Sequence, residues 1–374
     1  MIRAGIVGLG KMGLSHLAIM RMHPELDVVG ICDSAGYVRD VLGKYTNLDC
    51  YDDFDQMLMQ TGAEAVFVAV PSKLHAPMVE QALVRGAHVF CEKPFVLDVN
   101  DGERLVSLAE NKGLVTQVGY HNRFIGAFRE AARVVASGAL GRVHHVRVEA
   151  YGPVVLREKS STWRGVKTEG GGALYDYACH AIDLMNFVVG VPHSVDGVVR
   201  HSIFSSDVDD EVYCTLRYAD GVSGQLCVNW SDESFRKMST KVLVWGTNGR
   251  VAADRQECQI YLRETHPGVP ELEPGWTIRY TTDLTEEVWY YLRGEEYSAQ
   301  VDYFVESVKK NRLDGENTFR SALEVDRVVD MITGAALVGR SGTAKTPADE
   351  RYPRLSIRRE LAARFRELVA SRRT

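Results

Sequence analysis

Over the first 120 residues, apolar runs too short for helices alternate with stretches of helical period. That rhythm belongs to a parallel sheet whose strands are joined by crossover helices. It predicts strands near 2–8, 27–33, 49–51, 65–70, 88–91 and 114–119, with helices near 11–23, 35–45, 53–60, 75–86 and 99–112. The run Ala65-Val66-Phe67-Val68-Ala69-Val70 is apolar throughout, as a strand covered on both faces must be. Six such strands make a doubly wound dinucleotide-binding fold.

Beyond residue 140 the period falls to two. Val146, Val148 and Ala150 alternate with His145, Arg147 and Glu149, and Val212, Cys214, Leu216 and Tyr218 alternate with polar neighbours. One wet face implies antiparallel strands, and Asp220-Gly221 and Asn248-Gly249 sit between such runs as hairpin turns. Helices are expected over 173–189, 296–311 and 318–338. The tail 354–373 reads as a basic amphipathic helix with Leu361, Phe365 and Leu368 on one stripe, a solvated end or subunit contact in preference to a membrane anchor. The fold class is therefore α/β: a Rossmann domain over 1–122, then an α+β domain over 123–374 with a large, mostly antiparallel open sheet. No low-complexity linker separates the two, so a fixed interface and a cleft are expected.

Composition narrows the function. Hydrophobic residues at 45% and charged residues at 25% of 374 support a full core and exclude general disorder. With 44 bases against 50 acids, the net charge of −6 provides no field to hold a polyanion, which argues against nucleic acid as a partner. No apolar run reaches spanning length and the chain opens directly into a strand, so no membrane association and a cytoplasmic location are expected. The seven cysteines are an odd number without a C-x-x-C pair and read as reduced, mostly buried thiols.

Gly8-Leu9-Gly10-Lys11-Met12-Gly13 follows the first strand and opens the first helix. In that context the first glycine permits a tight turn, the second admits a pyrophosphate and the third lets helix and strand pack. Asp33 ends the second strand, where a carboxylate accepts hydrogen bonds from ribose hydroxyls. Because Ser34-Ala35-Gly36 holds no arginine to neutralise a 2'-phosphate, NAD is favoured over NADP; Arg39 is the nearby cation that could swing in.

Glu92-Lys93-Pro94 falls at the carboxyl end of the fifth strand, where ligands bind in open α/β sheets. Lys93 there can hold a substrate hydroxyl as its alkoxide forms; the bland alternative is a solvated lysine. Farther on, Gly170-Gly171-Gly172 leads into a helix with Asp176 and His180 at i and i+4, and Asp183 beyond. Shared helix-face placement suits a histidine base oriented by a carboxylate. A structural helix and a metal site remain the alternatives; no metal is assigned. Between 151 and 167, Arg157, Lys159, Arg164 and Lys167 with Trp163 oppose only Glu158, which suggests an anionic sugar. Otherwise Trp163 and Arg164 close over the cofactor.

These motifs together, with Val70-Pro71-Ser72-Lys73-Leu74-His75 and Gly119-Tyr120-His121-Asn122-Arg123-Phe124, resemble the glucose-fructose oxidoreductase / inositol dehydrogenase (Gfo/Idh/MocA) family. The resemblance implies a catalytic trio of Lys93, Asp176 and His180, with histidine the usual base and lysine the base in some members. It implies cofactor contacts from Pro71, Ser72, His75, Glu92 and Lys93 beside Gly8, Gly10, Lys11, Met12, Gly13 and Asp33. Tyr120, Asn122, Arg123, Arg157, Trp163 and Arg164 are the candidate substrate residues, and Tyr120-His121 replaces the commoner phenylalanine-asparagine pair. The implied function is hydride transfer between NAD and a secondary alcohol or ketone of a sugar, sugar nucleotide or cyclitol, in a homodimer or homotetramer formed through the C-terminal sheet. A redox-neutral glycosidase and a non-catalytic dinucleotide sensor are the alternatives, the latter disfavoured by the complete trio.

Overall fold

Six parallel strands form the first layer: β1 (Ile2–Val7), β2 (Leu26–Cys32), β3 (Cys50–Tyr51), β4 (Ala65–Val68), β5 (His88–Cys91) and β6 (Thr116–Val118). Their order is β3-β2-β1-β4-β5-β6, so the chain reverses direction between β1 and β4 and leaves a crevice at the strands' carboxyl ends. Helices α1 (Lys11–Met22), α2 (Gly36–Thr46), α3 (Phe54–Thr61), α4 (His75–Val84) and α5 (Val99–Asn111) are the crossovers. Asp53 and Asp98 cap α3 and α5 by accepting from Gln56 N and Asn100 N. The computed structural model of the protein describes residues 1–154 and 163–339; the basic tail segment 354–373 lies outside them.

After α6 (Gly126–Ala136) and β7 (Val143–Tyr151), a π-turn at Leu174–Ala178 runs into α7 (Cys179–Val189). The remaining strands are β8 (Ser194–His201), β9 (Glu211–Arg217), β10 (Ser223–Asn229), β11 (Ser239–Gly246), β12 (Gly249–Ala253), β13 (Glu257–Leu262) and β14 (Gly275–Tyr280). They join β7 in an eight-stranded sheet of order β14-β13-β12-β11-β7-β10-β9-β8. Only β7 and β10 pair in parallel, so the sheet is mostly antiparallel, as expected. Asp220 and Gly221 both take positive φ, 57° and 76°, in the β9–β10 turn, the backbone that hairpin twist requires.

The chain then returns to the first layer. Following α8 (Thr281–Leu284), α9 (Glu295–Lys309) buries Val301, Phe304 and Val305 against Ala4, Ile6, Phe67 and Phe90. Phe304 meets both sheet phenylalanines edge-on, at 5.4 and 5.9 Å between centroids. Helix α10 (Phe319–Gly339) packs Leu323 where a β-carbon at Gly102 would stand 2.5 Å from its Cδ1, and stacks Phe319 on Phe95 at 4.2 Å. Thus the N-terminal sheet is covered partly by helices encoded near the far end of the described chain. All seven cysteines are free thiols, and five of them are buried.

Candidate active site

The glycine loop can be tested by asking what a side chain would meet. At Gly8, whose φ is 86°, a β-carbon would stand 2.6 Å from Ala69 O; at Gly13 it would stand 1.8 Å from Gly8 O. At Gly10 nothing lies within 4 Å. Two glycines therefore close the turn against the sheet, and the middle one presents bare backbone to open space. Helix α1 begins at Lys11 with neither a capping side chain nor an acid in its first turn. The first N–H groups of that helix, including those at Lys11, Met12 and Gly13, would present the positive end of the dipole to a bound anion.

Asp33 accepts from Leu9 N at 2.6 Å and from Ala35 N at 2.8 Å, which fixes its carboxylate beside the loop at the end of β2. These features fit a dinucleotide: pyrophosphate at the helix terminus and a ribose at Asp33. Arg39, the nearby cation expected from the sequence, does stand beside Asp33: its Nη1 donates to the Asp33 backbone oxygen at 2.6 Å from the first turn of α2.

At the ends of β4, β5 and β6, Glu92 N donates to Val68 O and Gly119 N to Cys91 O, so the loops leave the sheet side by side. Pro71 and Ser72 lie in the first, with Ser72 buried beneath Gly170. His75 and Glu92 are both bonded within the protein. The buried His75 ring lies 2.7 Å from Pro94 O and 3.0 Å from Val70 O, tying the two loops together. Glu92 is bound to His16 at 2.6 Å and approached by Lys93 N at 3.3 Å. Burial alone would raise the Glu92 carboxyl, but His16 and Lys93 hold it below the usual range. Both residues position the Lys93 loop.

Lys93 Nζ donates to Asp176 Oδ1 at 2.9 Å and to Asp176 O at 3.0 Å. Arg164 Nε takes the other carboxylate oxygen at 2.8 Å. The triple glycine explains Arg164: a β-carbon at Gly171 would strike Arg164 O at 2.4 Å, and Gly172 N donates to that same oxygen. The turn thus presses Arg164 onto the start of the site helix. Burial pulls the Lys93 ammonium down, and Asp176 more than reverses this, leaving it above a free lysine. Burial likewise raises Asp176, and Lys93 with Arg164 brings it below the ordinary aspartate value. The pair is charged.

The expected Asp176–His180 pair does not form. Leu174–Ala178 is a π-turn, whose extra residue takes i and i+4 out of alignment. His180 Nδ1 is instead buried without a hydrogen-bond partner among the described residues. Burial, with Lys93, His121 and Arg255 nearby, holds its pKa well below that of a free histidine. His121 lies edge-on to it at 4.9 Å and stacks on Tyr297 at 4.8 Å; neither Tyr297 nor a role for His121 beyond its place in the motif was legible from the sequence.

Arg123 is not available to a substrate, since its guanidinium forks onto buried Asp183 at 2.6–3.1 Å. Asp176 is held by Lys93 and Arg164 and Asp183 by Arg123, so among the described residues these two carboxylates and His180 form no metal-ligating cluster. Tyr120 is fully buried 6.0 Å from the His180 ring, and Asn122 is buried with both amide atoms unpaired among the described residues. Trp163 lies under the Arg164 guanidinium at 4.8 Å. Arg157 and Lys159 lie outside the described residues.

Residues 2–120 match the model for the oxidoreductase family's NAD-binding Rossmann fold, and residues 128–252 match that for the GFO/IDH/MocA C-terminal domain. With the fold and loop geometry above, these define an NAD-binding oxidoreductase. The chain belongs to the GFO/IDH/MocA family. The 2,7-anhydro-N-acetylneuraminate hydratase of Mediterraneibacter gnavus is 25% identical to it over 361 residues, covering 93% of this chain and 94% of that protein. The myo-inositol 2-dehydrogenase of Thermotoga maritima is 23% identical over 324 residues, covering 85% and 87%. The solved structure of GenD2 from gentamicin A biosynthesis in complex with NAD superposes with a TM-score of 0.74 at 27% identity, covering 91% of this chain and 95% of that one.

Proposed function

We propose that this protein transfers hydride between NAD and a carbon bearing a secondary hydroxyl on a sugar or cyclitol. One observation carries the reading. A charged Lys93 is clamped by Asp176 at the carboxyl end of β5, and a neutral His180 with an unpaired nitrogen stands near it. When bound, the nicotinamide supplies a two-electron acceptor or donor. Lys93 donates to the substrate oxygen and favours its anionic form. His180 accepts the hydroxyl proton, and its neutrality leaves it free to do so. Asp176 keeps Lys93 protonated, so histidine is the base and lysine the fixed cation. Arg164 and Asp176 orient Lys93.

The carbohydrate and cyclitol names of the relatives support that substrate class. A second reading, redox-neutral chemistry with NAD retained, is favoured by the similarity to a hydratase over 93% of the chain. Following NADH absorbance and product mass across sugars, sugar nucleotides and inositols separates the two: stoichiometric NADH supports the dehydrogenase, and turnover with catalytic NAD supports the alternative. Self-association through the C-terminal sheet belongs to the same proposal, and sedimentation measures its size.

A further inference from the structure

The expected anion site between 157 and 167 loses a principal member, because Arg164 is bound to Asp176. Other cations around the site are similarly engaged. Lys93 is on Asp176, Arg123 on Asp183, and Arg255 on Glu296 at 2.5 Å. Arg293 is different. It is exposed to solvent, has no carboxylate partner among the described residues, and lies over the Tyr297 ring, 5.3 Å from the centroid. Tyr297 stacks on His121 with planes 19° apart, and His121 abuts His180. A ladder of side chains thus joins Arg293 to the proposed base.

The backbone supports this placement. Arg293 has φ 68°, a left-handed conformation that residues with a β-carbon seldom keep without local cause, and Gly294 follows at φ 144°. A β-carbon at Gly294 would meet the Glu296 carboxylate at 2.3 Å. The turn lets Glu296 fold back onto Arg255 while returning Arg293 over Tyr297. Two cations from separate elements, the β12–β13 turn and the entrance to α9, consequently stand near His121. One is neutralised and one is not. Consistent with a positive field there, burial and then Arg255, with Lys93 and Arg293 adding to it against Glu92, bring the His121 pKa to about 3.

We infer that Arg293 is a specificity residue that binds an anionic substituent, a carboxylate or phosphate, on the substrate whose hydroxyl reaches His180. This rests on the proposed hydride transfer at Lys93 and His180 and assigns that site's substrate class. Guanidinium is suited to either oxyanion because it presents paired donors in one plane. The reacting carbon would lie at His180 and the anion toward Tyr297, which keeps the negative charge away from the carbon that gives up hydride.

The test compares substrates matched except for charge: a hexose, its uronate and its phosphate, each with NAD and the full chain. The expected ratio of kcat/KM for an anionic substrate over the neutral sugar is about tenfold or more, and Arg293→Gln should lower that ratio about tenfold, chiefly through KM. Arg293→Lys should restore part of it. Whether uronate or phosphate leads identifies the oxyanion. A neutral sugar preferred by the parent, or equal losses for neutral and anionic substrates in Arg293→Gln, overturns the inference. Calorimetric binding of the same uronate and phosphate to NADH-loaded protein is independent of turnover. If no sugar reacts but anions bind and Arg293→Gln abolishes that binding, the hydride-transfer reading fails while the anion site stands; if Arg293→Gln binds them as well as the parent does, the anion site fails. NADH affinity checks that each variant is folded.

Discussion

Lys93 and Asp176 are joined twice: the ammonium donates to the carboxylate at 2.9 Å and to the same residue's backbone oxygen at 3.0 Å. The aspartate in this arrangement sets the lysine's charge and position. Lys93→Met should lower kcat by roughly 10². Asp176→Asn should lower it by about tenfold or more and add an alkaline decline, because burial then pulls the lysine's pKa down against much weaker opposition. A kcat-versus-pH series measures both. An unchanged profile in Asp176→Asn would assign the ion pair a structural role only.

His180 is already neutral at ordinary pH because burial disfavours its charged form. The parent kcat/KM should therefore lack a limb near the free-histidine value of about 6.5 and decline only in more acidic solution. His180→Ala should cost roughly 10² in kcat with NAD affinity preserved. A limb at the free-histidine value, retained in His180→Ala, would remove this residue as the base.

Stability should fall in acid through His121. Its folded pKa is about 3, against about 6.5 in the unfolded chain. Between those values the unfolded state binds more protons, so stability is full above the higher value and is lost as pH falls toward the lower. Urea unfolding at mildly acidic and neutral pH should show this slope, and His121→Asn should reduce it.

Asp326 on α10 has the opposite sign. It is buried with the Val96 N–H at 3.2 Å, and burial raises its pKa well above the aspartate value. The folded state therefore binds its proton more tightly, a contribution fully present below the unfolded pKa and lost as pH rises through the folded one. Asp326→Asn keeps an acceptor for Val96 and should raise Tm by about 2 °C or more at neutral pH. A lower Tm would mean that the carboxyl has a use beyond this bond.

NAD should bind about tenfold more tightly than NADP, because a 2'-phosphate would meet the Asp33 carboxylate. Asp33→Ser should narrow the gap, and Arg39 at the Asp33 backbone makes a further prediction. Adding Arg39→Ala to Asp33→Ser should weaken NADP again. Titrations by nucleotide fluorescence decide it, and equal constants for the parent would overturn the Asp33 argument.

The elements legible in the chain itself were those set by neighbours in sequence. Strand and helix periods, the glycine loop, the carboxylate ending β2 and the Asp220-Gly221 turn depend on local backbone geometry, and residues a few places apart suffice to specify it. Tertiary structure decided the rest. Lys93 finds Asp176 across 83 positions and Arg123 finds Asp183 across 60, separations over which no period operates. The i,i+4 rule failed at Asp176 and His180 because a π-turn altered the helix count, and Tyr297 met His121 through an α9 held by Phe304 against Phe67 and Phe90. A sequence displays which charges exist, but which of them remain unspent depends on the partners that packing brings within hydrogen-bond reach.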